Sequence, residues 1–314
     1  MNILLIRENL LKDKNTDKLR ELNINITTIK ANEFSAFQKS KECHSFDFIV
    51  GATELKDLDM AKWPKLKIIQ TISSGYDFLD YDSLHSNNVI VLNAKGVYSI
   101  PISEWVIGII IAHYKKLPYF FENAKTKKWK PNYSIQELSN KKVLLFGTGS
   151  IGQEIVRRLT PFGCIIHGVN SNGRKVSGFS KCFSLKNSKE EVGNYDILIF
   201  GLPSNKETID YVNKDMLKRL NDNAVVINVG RGTLINEKDL VEYMKLEISN
   251  LSFYLDVVNE EPLAKNNPLW DTPNIFISPH NSFASDQHME RLENLILENI
   301  EAFINSEKFV NKIK

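Results

Sequence analysis

The sequence predicts an α/β protein built from two doubly wound parallel sheets. Three observations carry this. The chain has 314 residues, which at about 150 residues per domain is room for about two domains. Short runs rich in Ile and Val recur along both halves, each bounded by polar or glycine-containing segments. Helical patterns lie between most of them, and strands alternating with helices in this way form parallel sheets with helices on their faces.

Composition narrows the class further. Hydrophobic residues make up 42% and charged residues 25%, a globular balance that excludes wholesale disorder. The 40 Lys+Arg nearly cancel the 38 Asp+Glu, so there is no global field for gripping nucleic acid or an anionic membrane. Cys43, Cys164 and Cys182 are odd in number and widely spaced, against both a disulfide framework and a zinc site. The run Ile3–Ile6 is short for a signal peptide. The longest apolar stretch, Trp105 to Ala112, is far below the ~18 residues of a membrane span. A soluble cytoplasmic protein without nucleic-acid, membrane or metal partners is expected.

In the first third, Ile3–Ile6, Ile24–Ile29, Phe46–Val50, Ile68–Thr71 and Val89–Leu92 read as buried strands, and Thr16–Leu22 as a helix. A long helix follows through Trp105–Ala112, with Ser99 as its cap, Pro101 in its first turn and Glu104 at the positive end of its dipole. Apolar all round, it belongs between layers or at an interface. Lys125–Pro131 reads as a basic surface connector. Val143–Phe146, Ile165–Val169, Ile197–Gly201, Val225–Val229, Leu251–Leu255 and Ile275–Ser278 read as strands of a second sheet. Met289, Leu292, Ile296, Ile300 and Phe303 recur at helical spacing and form a core stripe, with the first domain as its natural partner.

The sharpest motif is a strand running straight into Gly147-Thr148-Gly149-Ser150-Ile151-Gly152, a G-x-G-x-x-G turn that opens a helix over Ile151–Leu159. Gly147 permits the tight turn, Gly149 lets backbone approach a pyrophosphate, and Gly152 allows close helix–strand packing. The helix N-terminus then offers N–H groups to the phosphates. At the end of the next strand, an NAD site usually places Asp or Glu on the ribose 2′-hydroxyl. Asn170 stands there instead. Asn does not repel a 2′-phosphate, Ser171 can hydrogen-bond one, and Arg174 and Lys175 can neutralise it. NADP is therefore expected as the preferred cofactor, with NAD possible.

Three later segments each close a strand: Asn228-Val229-Gly230-Arg231-Gly232, Asp256-Val257-Val258-Asn259-Glu260-Glu261-Pro262, and Ser278-Pro279-His280-Asn281-Ser282. Strand carboxyl ends line the ligand crevice of a parallel sheet, so an Arg, a Glu and a His would converge there. With these motifs the chain resembles the D-isomer-specific 2-hydroxyacid dehydrogenases, in their glyoxylate/hydroxypyruvate reductase-like branch. The resemblance runs from Ser73-Ser74-Gly75-Tyr76-Asp77 through Asn93-Ala94-Lys95-Gly96-Val97 and Pro101-Ile102-Ser103-Glu104 to the last helix. Leu202-Pro203 with Thr208 is similar to the family's cofactor loop.

The chemistry and the resemblance agree on roles. Reducing a 2-keto acid requires hydride to carbon and a proton to oxygen. His280 is the natural donor, since an imidazole exchanges protons near pH ~6.5. Glu261, which directly precedes Pro262, would fix the ring and favour its charged form; Glu260 is its rival. Arg231 would hold the substrate carboxylate and the developing alkoxide. The resemblance adds Ser74 and Gly75 as carboxylate-holding amides, Asp256 near the nicotinamide amide, and Val229 among the cofactor contacts. Ser282 is expected to touch the substrate and Phe283 to shape the pocket.

The resemblance also implies the assembly. A flavodoxin-like substrate domain of residues 1–94 plus 285–314 would receive a Rossmann cofactor domain, 95–284, as an insertion, with the active site in the cleft between them. The long helix would make a homodimer. The expected reaction is NAD(P)H-dependent reduction of a short 2-keto acid, such as glyoxylate or hydroxypyruvate, to the D-2-hydroxy acid. A phosphoglycerate dehydrogenase-like enzyme is the alternative, and a dinucleotide-sensing corepressor-like binding protein is the reading from another class. Cofactor turnover separates the last from the others.

Overall fold

The computed structural model describes residues 1–246 and 250–313. The chain divides into two compact units, Met1–Tyr98 with Ser285–Lys314, and Ser99–Ala284.

In the first unit, β1 (Asn2–Ile6) leads through α1 (Asp13–Glu21) to β2 (Asn25–Ile29). The short α2 (Phe34–Phe37) precedes β3 (Phe48–Gly51), and β4 (Ile68–Thr71), α3 (Tyr81–Ser86) and β5 (Ile90–Leu92) follow. All five strands are parallel, in the order β2-β1-β3-β4-β5. This is the flavodoxin-like order, which reverses between β1 and β3. Alternate residues along each strand face opposite layers. Ile3, Leu5, Phe48 and Ile68 pack with Leu19 of α1 on one face. Leu4, Ile6, Ile49 and Ile69 pack with Phe34, Trp63 and Leu84 on the other.

The second unit opens with α4 (Ser99–Tyr114) and α5 (Leu117–Lys125). Its sheet is built from β6 (Lys142–Phe146), β7 (Ile165–Asn170), β8 (Lys181–Ser184), β9 (Ile197–Phe200), β10 (Val225–Asn228), β11 (Ser252–Leu255) and β12 (Ile275–Ile277). Between them lie α6 (Ser150–Leu159), α7 (Leu185–Ser188), α8 (Lys214–Leu217) and α9 (Glu237–Leu246). The parallel strand order is β12-β11-β10-β9-β6-β7-β8. Counted from β6, this is the dinucleotide-binding order with one strand added, and it reverses between β6 and β9.

The last helix, α10 (His288–Ile304), belongs to the first unit. Leu292, Leu295, Ile296 and Ile300 join the layer of Ile3 and Leu5. The buried Glu293 ties this helix to the start of α1, accepting from the Lys12 amide at 2.6 Å and Asn15 Nδ2 at 2.7 Å. Met289, expected in the stripe, is instead 39% exposed, and Leu295 completes the buried face.

Three expectations change in detail. Ser99 does not cap α4: it lies inside the first turn, and its buried hydroxyl has no partner among the described residues. Nor is α4 enclosed all round. Val106 and Ile110 are buried and the helix packs against α6, but Trp105, Ile109 and Ala112 are only half-buried and Gly108 is exposed. Finally, β8 was not anticipated, because a short edge strand reading Lys-Cys-Phe-Ser carries no apolar run.

Candidate active site

The turn after β6 has the geometry its glycines require. Gly147 sits at φ 106°, and a Cβ there would lie 2.7 Å from the Gly201 carbonyl oxygen. A Cβ on Gly152 would lie 2.1 Å from the Gly147 carbonyl oxygen, so α6 can lie this close only with glycine. Gly149 differs: a Cβ there would meet nothing within 4 Å. Gly149 also occupies the N-cap of α6, where no side chain among the described residues caps the first-turn amides. Open space in front of free amides, beginning with Ser150 and Ile151, suits a pyrophosphate, so the residues present fit a dinucleotide. Thr148 is buried behind the turn.

At the end of β7, the Asn170 side chain is committed to its own turn. Its Oδ1 accepts from the Gly173 amide at 2.8 Å, and its Nδ2 donates to the Arg174 carbonyl at 2.9 Å and to Thr148 Oγ1 at 3.3 Å. It therefore shapes the turn that presents Ser171 and Arg174, both exposed, rather than reaching outward itself. Thr208 behaves similarly. It is 2% exposed, accepts from the Asn205 amide at 2.9 Å and donates to the Pro203 carbonyl at 2.7 Å, closing the loop that begins at Leu202. Val229 is buried, and its amide donates to the Phe200 carbonyl at 2.9 Å.

Adjacent strands β10, β11 and β12 deliver Arg231, Glu261 and His280 from their carboxyl ends. His280 Nδ1 lies 2.8 Å from Glu261 Oε2, while Glu261 Oε1 accepts from the Val258 amide at 3.2 Å. Glu261, and not Glu260, thus meets the ring. His280 has φ 49°, a left-handed conformation uncommon for a residue with a Cβ and concentrated at functional sites. Arg231 is held through its main chain, its carbonyl accepting from Asn228 Nδ2 at 2.9 Å, and its Nη1 donates to the Gly230 carbonyl at 2.9 Å. The next residue, Gly232, brings this loop against the Glu261 loop, since a Cβ there would overlap the Val258 carbonyl group at 2.0–2.1 Å.

The loop bearing His280 is organised from below by Asp256, which is 1% exposed. Its Oδ1 accepts from the Ser278 hydroxyl at 2.6 Å and the Asn281 amide at 2.9 Å, and its Oδ2 from the Ser282 amide at 3.1 Å. Asp256 was expected beside the cofactor; in the structure its carboxylate serves the histidine loop. Ser282 is 4% exposed, so burial leaves it little surface for a substrate, whereas Phe283 is 38% exposed and meets the His280 ring edge-on at 6.0 Å. Under the Glu261 loop, Glu237 of α9 accepts from the Asn259 amide at 2.7 Å. Burial pushes the Glu237 carboxyl up, the Asn259 bond offsets part of this, and the Glu260 charge adds to the rise.

In the first unit, Ser74 and Gly75 follow β4. The loop's carbonyls are tied back: Ser73 to Thr71 Oγ1 at 2.8 Å, Ser74 to Asn93 Nδ2 at 2.7 Å, and Gly75 to Ser73 Oγ at 2.7 Å.

Residues 107–282 match the family model described as "D-isomer specific 2-hydroxyacid dehydrogenase, NAD binding domain". The chain belongs to this family. As a D-isomer specific 2-hydroxyacid dehydrogenase, it is an oxidoreductase with a nicotinamide dinucleotide-binding domain. It is 28% identical over 300 residues to glyoxylate/hydroxypyruvate reductase HPR3 of Arabidopsis thaliana, covering 94% of this chain and 91% of the relative. It is 28% identical over 257 residues to glyoxylate reductase/hydroxypyruvate reductase of Homo sapiens, covering 79% of this chain and 77% of the relative. An NADPH-dependent glyoxylate/hydroxypyruvate reductase from Sinorhizobium meliloti, solved with NADP and malonate, superposes with a TM-score of 0.80. That structure is 25% identical and covers 99% of this chain and 96% of its own.

Two supporting residues of this dehydrogenase escaped the sequence reading. Asn93 steadies the Ser74 loop and Ser278 links Asp256 to the histidine loop. Asn93 did carry a signal, as the first residue of the Asn93–Val97 segment; Ser278 carried none beyond preceding Pro279. Among the described residues, no group of three or more His, Cys, Asp or Glu is placed to hold a metal, and no helix is long and apolar enough to cross a membrane.

Proposed function

We propose that this dehydrogenase reduces a short 2-keto acid of the glyoxylate or hydroxypyruvate type to the D-2-hydroxy acid, with NADPH preferred and NADH accepted. The observation that carries the reading is the 2.8 Å contact between His280 Nδ1 and Glu261 Oε2 on neighbouring loops of the dinucleotide-binding sheet.

When bound, the dinucleotide supplies the hydride, its pyrophosphate held at Gly147–Gly152 and its ribose near Ser171 and Arg174. The protein's own groups do the rest. Glu261 holds one nitrogen of the imidazole and turns Nε2 outward as the proton donor. His280 gives its proton to the ketone oxygen as negative charge builds there. Arg231 pairs with the substrate carboxylate and steadies the developing alkoxide. Backbone N–H groups of Ser74 and Gly75 share the carboxylate. Asp256 keeps the histidine loop in place. The reductive direction follows from the cofactor choice, since cells keep the NADPH pool reduced.

The protein acts as a homodimer in this reading. Support comes from the half-buried face of α4 and from the large apolar side chains exposed just after it, Phe121, Trp129, Tyr133 and Ile135.

Purified protein assayed with glyoxylate, hydroxypyruvate, pyruvate and longer 2-keto acids, each with NADPH and NADH, tests the proposal. Rapid NADPH oxidation with the first two supports it. No oxidation of either cofactor with any keto acid ends it.

A further inference from the structure

The active-site roles above leave a half-buried charged pair at the carboxyl edge of the first sheet without a task. Arg7 directly follows β1, and Glu54 follows β3, the two strands between which the sheet order reverses. Ligands in open α/β sheets bind outside the strand carboxyl ends at such a reversal. Glu54 is fixed: its Oε1 accepts from the Ala52 amide at 2.7 Å. Its Oε2 receives Arg7 Nη2 at 3.3 Å. The carboxylate is 9% exposed but the Arg7 side chain is 45% exposed, so the guanidinium is tethered on one side and open on the other. Arg7 also lines a cavity of about 400 Å³ whose other walls come from α1 and β2, with the acids Glu8, Asp13 and Asp17 beside Thr16 and Thr28. Its φ of 152° is a conformation that side chains other than glycine rarely adopt.

A second thread leads from Arg7 to the Ser74 loop. The Tyr98 hydroxyl donates to the Ile72 carbonyl, two residues before Ser74. Burial pushes Tyr98 up to about 12, and the Arg7 charge acts against that rise. Arg7 therefore stands on the same edge of the same unit as the amides assigned to the substrate carboxylate.

We propose that Arg7 is a specificity-determining residue whose outward N–H groups donate to a hydroxyl on the carbon beside the keto group, so that hydroxylated 2-keto acids are turned over in preference to their deoxy counterparts. The proposal rests on the assignment of Ser74 and Gly75 to the substrate carboxylate. A hydroxyl fits better than a second carboxylate because Glu54 already balances the Arg7 charge. A neutral acceptor gains from an oriented donor, whereas another anion would also meet Glu54. A site built to hydrogen-bond a substrate hydroxyl discriminates strongly against the analogue lacking it.

The experiment compares kcat/KM for hydroxypyruvate and pyruvate in the wild type, Arg7→Met and Glu54→Gln. The wild type should favour hydroxypyruvate, and Arg7→Met should lower kcat/KM for hydroxypyruvate about tenfold more than for pyruvate. Glu54→Gln keeps the guanidinium but loosens its tether, and should also reduce the preference; it carries the test if Arg7→Met does not fold. A preference unchanged in both folded variants, or equal losses with both substrates, overturns the proposal. Wild-type protein inactive with every keto acid instead overturns the function on which it rests.

Discussion

Asp256 holds His280 by two routes. Its main-chain carbonyl accepts the His280 amide at 2.8 Å, and its carboxylate gathers the Ser278 hydroxyl and the Asn281 and Ser282 amides on either side. The left-handed φ of His280 persists because Ser278 and Asn281, which flank the Pro279-His280 pair, are tied to one buried anion. Asp256→Asn keeps the size but removes the charge and one acceptor. The expected result is a fall in kcat of about tenfold or more with a smaller change in KM. Chemical denaturation should show a loss of about 1–3 kcal/mol. Unchanged kcat would mean that the histidine loop holds its shape without this carboxylate.

Asn170→Asp tests cofactor choice with a twist set by the structure. An aspartate can accept the Gly173 amide but cannot donate to the Arg174 carbonyl or Thr148. The variant should shift the ratio of kcat/KM values toward NADH, because a carboxylate repels a 2′-phosphate. It should also melt at lower temperature. A lower melting point with an unchanged cofactor ratio would make Asn170 a turn residue only.

His113 predicts a pH dependence of stability. It is largely buried on α4, with Nδ1 3.0 Å from the Tyr254 hydroxyl. Burial, helped by Lys116, lowers its pKa from 6.5 to about 4. Between these values the unfolded chain binds the proton and the folded chain does not. This contribution is therefore present above pH ~6.5 and is lost as pH falls toward 4. Urea midpoints at pH 7 and 4.5 should differ less for His113→Gln than for the wild type. Equal pH sensitivity in the two proteins would remove His113 as a cause.

The apolar side chains after α4 predict association. Trp129 is fully exposed in the single chain, and Phe121 and Tyr133 are largely so. Sedimentation of the wild type should give a dimer, and Phe121→Glu with Trp129→Glu should give a monomer. A wild-type monomer at micromolar concentration would leave this surface without that role.

The strand pattern was legible because the inner parallel strands are buried on both faces and read as apolar runs, as in Ile68–Thr71 and Val143–Phe146; the edge strand Asn25–Ile29, expected to be buried, is exposed or half-buried throughout. The same logic explains the miss at Lys181–Ser184, where an edge strand leaves Lys181 outside. Glycines were legible for a related reason. At Gly147 and Gly152 backbone meets backbone, and only one residue type fits. The histidine and its carboxylate could be brought to one crevice because strand carboxyl ends line it, while the choice of Glu261 over Glu260 rested on the family's Glu-Pro pattern. What stayed hidden was the direction of polar side chains. Asn170, Thr208 and Asp256 all sit in the expected loops, yet Asn170 and Thr208 bond within their own loops and Asp256 bonds the neighbouring histidine loop. Sequence places a side chain on a loop, whereas its partners depend on how that loop folds back.

The most direct test is steady-state NADPH oxidation with glyoxylate and hydroxypyruvate by the wild type and by His280→Gln, alongside a dinucleotide-binding titration of both. The wild type should turn over, while His280→Gln should lose about 10²–10⁴ in kcat and bind NADPH with nearly unchanged affinity. Turnover by His280→Gln within a few-fold of the wild type would contradict the assignment of His280 as proton donor.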